Sequence, residues 1–439
     1  MTVELAHPST EPAGSRSPIE PARPRWWFFT TTPGRILALG IILATLGGIS
    51  AFATSTTIRN RQNTLTAVLD HTEPLAYAAG QLYTRLSVAD AAAATAFIAQ
   101  GEPRAVRERY EQAITEAAVA VTRASGGLDD PPLLQLLGRI NAELVVYTGL
   151  IETARTNNRS GDPVGSSYLS EASELMQSTI LPDAQRLYQA TSATVDVQTT
   201  ASTRVPAPVI LVVATTVLFG AFAHRWLARH TRRRINPGLV AGGLAILLMV
   251  IWVGTVLAIS TAGSRNAKDT GAESLKAITD LAITAQQARA DETLSLIRRG
   301  DEESRKQTFY QRIELMQDKL TNYLQRGDAV DKSDLADSGQ LLTQWREAND
   351  RMNAYISVGN YRAATQVALG GNGDNSTPAF DQLDAAMDKA LQHSRNQLRG
   401  DVLNARRVLS LAPVGGAVLS MSAAIAVALG LWPRLSEYR

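Results

Sequence analysis

Four stretches of the chain, about residues 36–57, 205–223, 239–262 and 408–432, are apolar and carry no charge. Each holds about 19–25 residues, enough at ~1.5 Å per residue to cross a ~30 Å hydrocarbon layer. With no water there to satisfy backbone groups, such stretches are predicted as helices. The intervening segments alternate differently. Leu133, Leu137, Ile140, Leu144, Tyr147 and Ile151 step by four and three, as do Phe309, Ile313, Met316, Leu320 and Tyr323. That is the seam of a helical bundle, and Leu275, Ile278, Leu281 and Ala285 line a partner helix. The aromatic residues at these spacings read as core rather than as a ligand cage.

Turn chemistry cuts each intervening segment into four helices. In the first, the breaks are Gly101-Glu102-Pro103, GGLDDPP (126–132) and NNRSGDPVG (157–165). In the second they are RRGDEE (298–303), RGDAVDKSD (326–334) and GGNGDNSTP (370–378). Pro182 should kink the fourth helix of the first segment or mark its restart. The first and last helices of each segment are expected to run on into the membrane. The fold class is therefore an all-α membrane protein: four transmembrane helices with two tandem extracytoplasmic up-down four-helix bundles. The divisions are a disordered tail (1–34), span 1 (35–57), bundle 1 (58–204), span 2 (205–223), a basic turn (224–237), span 3 (238–262), bundle 2 (263–407), span 4 (408–432) and a C-terminal end (433–439). Ala51-Phe52-Ala53 imitates a signal-peptide cleavage site, but the long N-terminal region and the apolar length favour a retained anchor.

Charge sets the expected orientation. The net charge is only +2, yet Arg225, Arg229, Arg232, Arg233 and Arg234 crowd into one short turn without an acid. Short loops rich in Lys and Arg stay on the cytoplasmic side, so both termini are expected inside a multi-pass cell membrane protein. Arg23, Arg25 and Arg35 around Trp26-Trp27-Phe28-Phe29 fit that side; Arg406 and Arg407, at the outer end of span 4, do not. The bundles then lie outside. "FIAQGEPRAVRERYEQAI" (97–114) parallels "LIRRGDEESRKQTFYQRI" (296–313), so the two bundles read as one unit used twice, with Tyr110 beside Tyr310 and Tyr147 beside Tyr355. The chain has no cysteine, so packing alone holds these modules.

The chemistry is sparse. There is no P-loop, no dinucleotide turn and no His-Glu-x-x-His helix. His7, His71, His224, His230 and His393 are scattered; His224 and His230, the closest pair, sit where positive charge opposes a metal. No cofactor or metal is expected, no catalytic residue stands out, and nothing points to nucleic acid. The apolar stretches hold no ionisable residue to mark a transport path, only hydroxyls such as Thr45, Ser50, Thr215, Thr216 and Ser420 that bond their own helices. Gly238-xxx-Gly242 and Gly416-xxx-Ser420-xxx-Ala424 are small faces for helix packing. Information is the product that remains. The five arginines of the turn are candidate contacts for a cytoplasmic partner or anionic lipid. Arg289 and Arg346 are candidate carboxylate anchors of a ligand, although solvation is the ordinary fate of such arginines.

A tandem outer bundle on four spans, with almost no cytoplasmic mass and an "RRRINP" turn (232–237), resembles the GlnX-type membrane proteins of actinobacteria. The resemblance implies a non-enzymatic relay. It would run from an extracytoplasmic amino-acid-binding lipoprotein to the cytoplasmic serine/threonine kinase called protein kinase G, reporting aspartate or glutamate status. The family supplies no residue-level site. The same turn is similar to the linker that follows the second span of chemoreceptors and sensor kinases, but here span 3 cuts it short. Two other readings stay open: direct small-molecule sensing by the bundles, and a structural scaffold for an envelope complex. A homo-oligomer is compatible with all three.

Overall fold

The computed structural model describes residues 32–99, 103–204, 206–230, 237–297, 302–327, 329–330 and 332–436. The expected disordered tail, up to residue 31, and Arg232, Arg233 and Arg234 of the basic turn lie outside the described residues. The described residues are helical between their turns, with no strand among them. In chain order the helices are α1 (Thr32–Ala67), α2 (Glu73–Ile98), α3 (Arg104–Ser125), α4 (Pro131–Arg159), α5 (Val164–Leu175), α6 (Leu181–Thr203) and α7 (Ala207–His230). They continue with α8 (Pro237–Asn266), α9 (Glu273–Ile297), α10 (Glu302–Gln325), α11 (Ser338–Ser357), α12 (Tyr361–Leu369) and α13 (Ser376–Ser436). Four helical runs among the described residues are long and apolar enough to cross a membrane.

The chain forms two compact units. One is made from the described parts of 1–52, 210–247 and 420–439, drawn mostly from the apolar stretches. Here Thr45 and Thr215 bond the carbonyls of Ile41 and Leu211 one turn back, as the sequence suggests. Ser50 does more. Its hydroxyl meets that of Thr216 at 2.7 Å, joining α1 to α7 by a buried polar contact.

The other unit, 53–209 with 248–419, holds both bundles. Bundle 1 packs Leu82, Leu86, Leu137, Ile140, Tyr147, Ile151 and Ile180 around one core. Bundle 2 packs Phe309, Ile313, Met316, Leu342, Trp345 and Leu383. A third cluster, near the apolar runs, gathers Ile58, Leu65 and Leu69 of the first helical run with Val256, Val402 and Leu409 of α8 and α13. The two modules are therefore not separate bodies. Ile283 of bundle 2 belongs to the core of bundle 1, and Tyr77 of bundle 1 packs on the core of bundle 2.

Three π-helical turns interrupt long helices without ending them: Val68–Thr72, Met176–Ile180 and Ala267–Ala272. Two of them lead into prolines, Pro74 and Pro182. A π-turn widens the hydrogen-bond ladder by one residue, which accommodates the missing proline N–H. Pro182 thus does not break the chain into separate helices; it sits in the first turn of α6, directly after the π-turn. In the first turn the Thr72 hydroxyl donates to the Ala67 carbonyl at 3.2 Å, filling part of the opened ladder.

Three sequence expectations are corrected. The last helix of bundle 1 does not run unbroken into the second apolar stretch, because Arg204 is extended and Pro206 follows before α7 begins. The third helix of bundle 2 is split at Gly359, whose φ of 75° is cheap only for glycine, and Asn360 caps α12 by accepting from the Ala363 N–H. The helix of span 1 begins at Thr32, inside the expected tail, and α13 extends to Ser436, beyond span 4.

Candidate functional site

Each bundle closes around a buried carboxylate on its first helix. In bundle 1 this is Asp90. It accepts from the Ser173 hydroxyl at 2.9 and 3.0 Å, from Gln177 Nε2 at 2.9 Å and from the Tyr147 hydroxyl at 3.4 Å. In bundle 2 it is Glu292, which accepts from Arg289 at 2.5 Å, Trp345 Nε1 at 3.0 Å and Asn349 Nδ2 at 3.2 Å. Buried polar groups are tolerated when every partner is supplied, and both cages supply theirs from the third helix and from a further helix position.

The cages correct the repeat register. Tyr147 and Trp345 are the matching third-helix residues, each fully buried with its polar hydrogen on the carboxylate. Tyr355 is exposed. Tyr110 and Phe309, which the two parallel stretches 97–114 and 296–313 already place opposite each other, are both core residues, and Phe309 packs edge-on against Trp345 at 5.3 Å. Tyr310 instead sits at the edge, its hydroxyl donating to Asp350.

The seam between the bundles is the other concentration of buried charge. Glu73, the first residue of α2, is 1% exposed and receives Arg395 at 2.6 Å and Arg399 at 2.7 Å, both from α13. Arg399 also donates to the Leu69 carbonyl, and Arg395 lies over the Tyr77 ring at 3.9 Å. Farther along, Arg85 bridges Glu116 at 2.8 Å and Asp388 at 3.7 Å, while Arg109 meets Asp381 at 3.0 Å. Gln287 of α9 donates to the Tyr83 hydroxyl at 2.9 Å. The polarity thus reverses along the seam: α13 presents arginines to Glu73, and farther along presents aspartates to Arg85 and Arg109. Burial, reinforced by the Asp388 charge, raises the Asp384 carboxyl to about 6 despite Arg109, Arg85 and a hydrogen bond from Gln286. Burial also raises Asp388.

Within this seam lies a cleft of about 410 Å³. Bundle 1 lines it with residues including Tyr77, Thr84, Tyr188 and Asp196, and bundle 2 with residues including Lys276 and Asp280. Burial raises the Asp280 carboxyl, opposed by the charges of Lys319 and Lys276.

Of the candidates named from sequence, only Arg289 belongs to one of these sites, as a member of the Glu292 cage. Arg289 is buried, not solvated: besides Glu292 it donates to the Thr377 hydroxyl at 2.7 Å and stacks over Phe380. Arg346 is exposed, its guanidinium 5.7 Å from the Tyr310 ring centre. Arg225 and Arg229 are exposed on α7. Glu73, Asp90, Glu292 and the seam aspartates were not singled out by sequence reasoning. The available signal was a charge placed inside an otherwise apolar first helix, as in "SVADAAAATAFI" (87–98).

Comparison with known proteins agrees with this organisation. No curated protein and no solved structure matches the chain. Residues 64–200, from the end of α1 through most of α6, match the family model of an actinobacterial sensor domain, so the part of the chain that forms bundle 1 is similar to a domain of signal sensing.

Proposed function

We propose that this chain is a non-enzymatic transmembrane signal relay, with the joined bundles outside the cell membrane and both termini inside. One observation carries the reading. The helices that form the bundle seam are the same helical runs that include the apolar stretches: α1 passes through a π-turn into α2, α8 into α9, and α13 is a single helix from the Glu292 cage to the apolar end. A change at the seam therefore acts on rods of continuous backbone, and helix shifts of ~1–2 Å are an established switching mode. The sensor-domain similarity supports sensing as the task. The crowding of arginines between the second and third apolar stretches supports the orientation.

For the partners, the resemblance to GlnX-type proteins supports a ligand-loaded amino-acid-binding lipoprotein outside and protein kinase G inside. Aspartate or glutamate would be the reported nutrient. The arginine turn, joining the spans of the two bundles, is the inner face on which a kinase would dock. Cross-linking in intact membranes, followed by co-purification with and without acidic amino acid, tests this. Enrichment of a solute-binding lipoprotein and of the kinase is expected, with a dependence on the amino acid. Failure to enrich either under both conditions would sink the relay.

A further inference from the structure

The seam cleft has the features of a ligand site rather than of imperfect packing. Its volume, about 410 Å³, lies in the range of small-molecule pockets. Half of its charges are already answered. Glu273 is bridged by Arg326 at 2.9 Å, and Asp388 by Arg85 at 3.7 Å. Asp280 is different: it is half-buried, and among the described residues no cation lies within ion-pair distance of it. The nearest positive charges act from farther off, and Lys319 directs its ammonium to the Thr284 hydroxyl at 3.2 Å. Asp196 adds a second, exposed carboxylate from the opposite bundle. Against these two acids the lining offers one unbridged cation, Lys276, among the described residues.

A second observation points the same way. Tyr188 lines the cleft and is 5% exposed, yet its hydroxyl, beside Asp280 and Thr279, completes no hydrogen bond of ordinary geometry. A buried hydroxyl left without a good partner is costly, and a ligand in the cleft would supply one. Tyr77 and Tyr188 put two aromatic rings in the lining, and the Tyr77 ring already carries a cation, Arg395, at 3.9 Å.

We propose that the cleft between the bundles binds a small organic ammonium ion, with Asp280 as its counter-ion and Tyr188 and Asp196 completing the shell. The site draws on both bundles, so occupancy would draw α6 and α9 together and fix the seam. That consequence rests on the relay reading; binding itself does not. The ammonium could belong to a free amine or to a zwitterionic amino acid, and the two are separable by probe.

The test is calorimetry on the purified full chain in nanodiscs, using 1,4-diaminobutane, glycine and 1,4-butanediol. The diamine or glycine should bind, and the uncharged diol should not. Asp280→Asn should weaken binding about tenfold or more, the loss expected for a charge-assisted contact. Lys276→Gln, which removes a competing cation, should strengthen it several-fold, and this arm holds even if the aspartate variant misfolds. Binding should also weaken toward acid, as Asp280 takes up its proton in the presence of Lys276 and Lys319. Absence of binding by either ammonium probe, or binding indifferent to both substitutions, overturns the assignment. Partner capture is measured separately, so a chain that relays without binding ammonium removes this site and leaves the relay standing.

Discussion

At the scale of single residues, charge inside the seam is the most consequential choice the chain makes. Asp384 shows its cost. The carboxyl, raised to about 6, is protonated in the folded state where the unfolded chain would already have lost its proton. Between about pH 4 and 6 the folded state therefore binds more protons, and stability falls as pH rises through that window, then levels off. Asp384→Asn removes this term while keeping an acceptor for Gln286. Thermal melts at pH 5 and 7.5 should show the variant gaining stability chiefly at the higher pH, by at most about 3 kcal/mol. A variant less stable at pH 7.5 would mean that Asp384 serves as an ionised partner of Arg85 and Arg109. Glu73 is the opposite case, a buried carboxylate with two arginines in contact. Glu73→Gln leaves both arginines without a full charge partner and should cost about 2–3 kcal/mol, since one half of a paired site is removed. Neither residue could be ranked from sequence, because the arginines on Glu73 lie 322 and 326 positions away and the Gln286 donor of Asp384 lies 98 positions away.

Helices were far more legible than sites. A period near 3.5 placed the seam residues of α4 and α10 in their cores, because that spacing has one physical meaning in a helix. The described turns after α3 and α4 and before α13 fall where Gly, Pro, Asn and Asp accumulate, while the first break of each bundle lies partly outside the described residues. The misreadings have separate causes. The break at Gly359 is short and leaves the periodicity nearly intact. The tyrosine pairing failed because a tryptophan can do the work of Tyr147, presenting an N–H where the tyrosine presents an O–H. The joining of the bundles was written in α2, whose buried residues include Ala76, Ala79, Leu82, Tyr83, Leu86 and Ala89. A helix with so little polar face must be covered on more than one side, and a single bundle covers only one. The π-turn at Ala267–Ala272 carries a prediction at this scale. A Cβ on Gly271 would stand 2.7 Å from the Leu398 Cα, a backbone atom that cannot swing aside. Gly271→Ala should force the turn and α13 apart and destabilise the chain by about 1–3 kcal/mol, as over-packing does. Circular-dichroism melts would show it. An unchanged midpoint would mean that the two elements separate freely.

On the scale of the whole molecule, the question is whether two bundles behave as two. Up-down bundles joined only by a membrane would unfold independently, each with its own midpoint. Here they exchange core residues, Ile283 one way and Tyr77 the other, and are clasped by Glu73, Arg85 and Arg109. Shared burial couples their stabilities, because opening one strips cover from the other. Amides of α3 and α4 should therefore reach the same maximal protection from hydrogen exchange as those of α10 and α11, and lose it at the same denaturant concentration. Glu73→Gln should split that transition, with each bundle retaining its own buried cage around Asp90 or Glu292. Distinct midpoints in the unaltered chain would show the seam to be a weak contact. A relay that pools two bundles into one output would then have lost its structural basis, since the continuous helices could report on each bundle but not on their union.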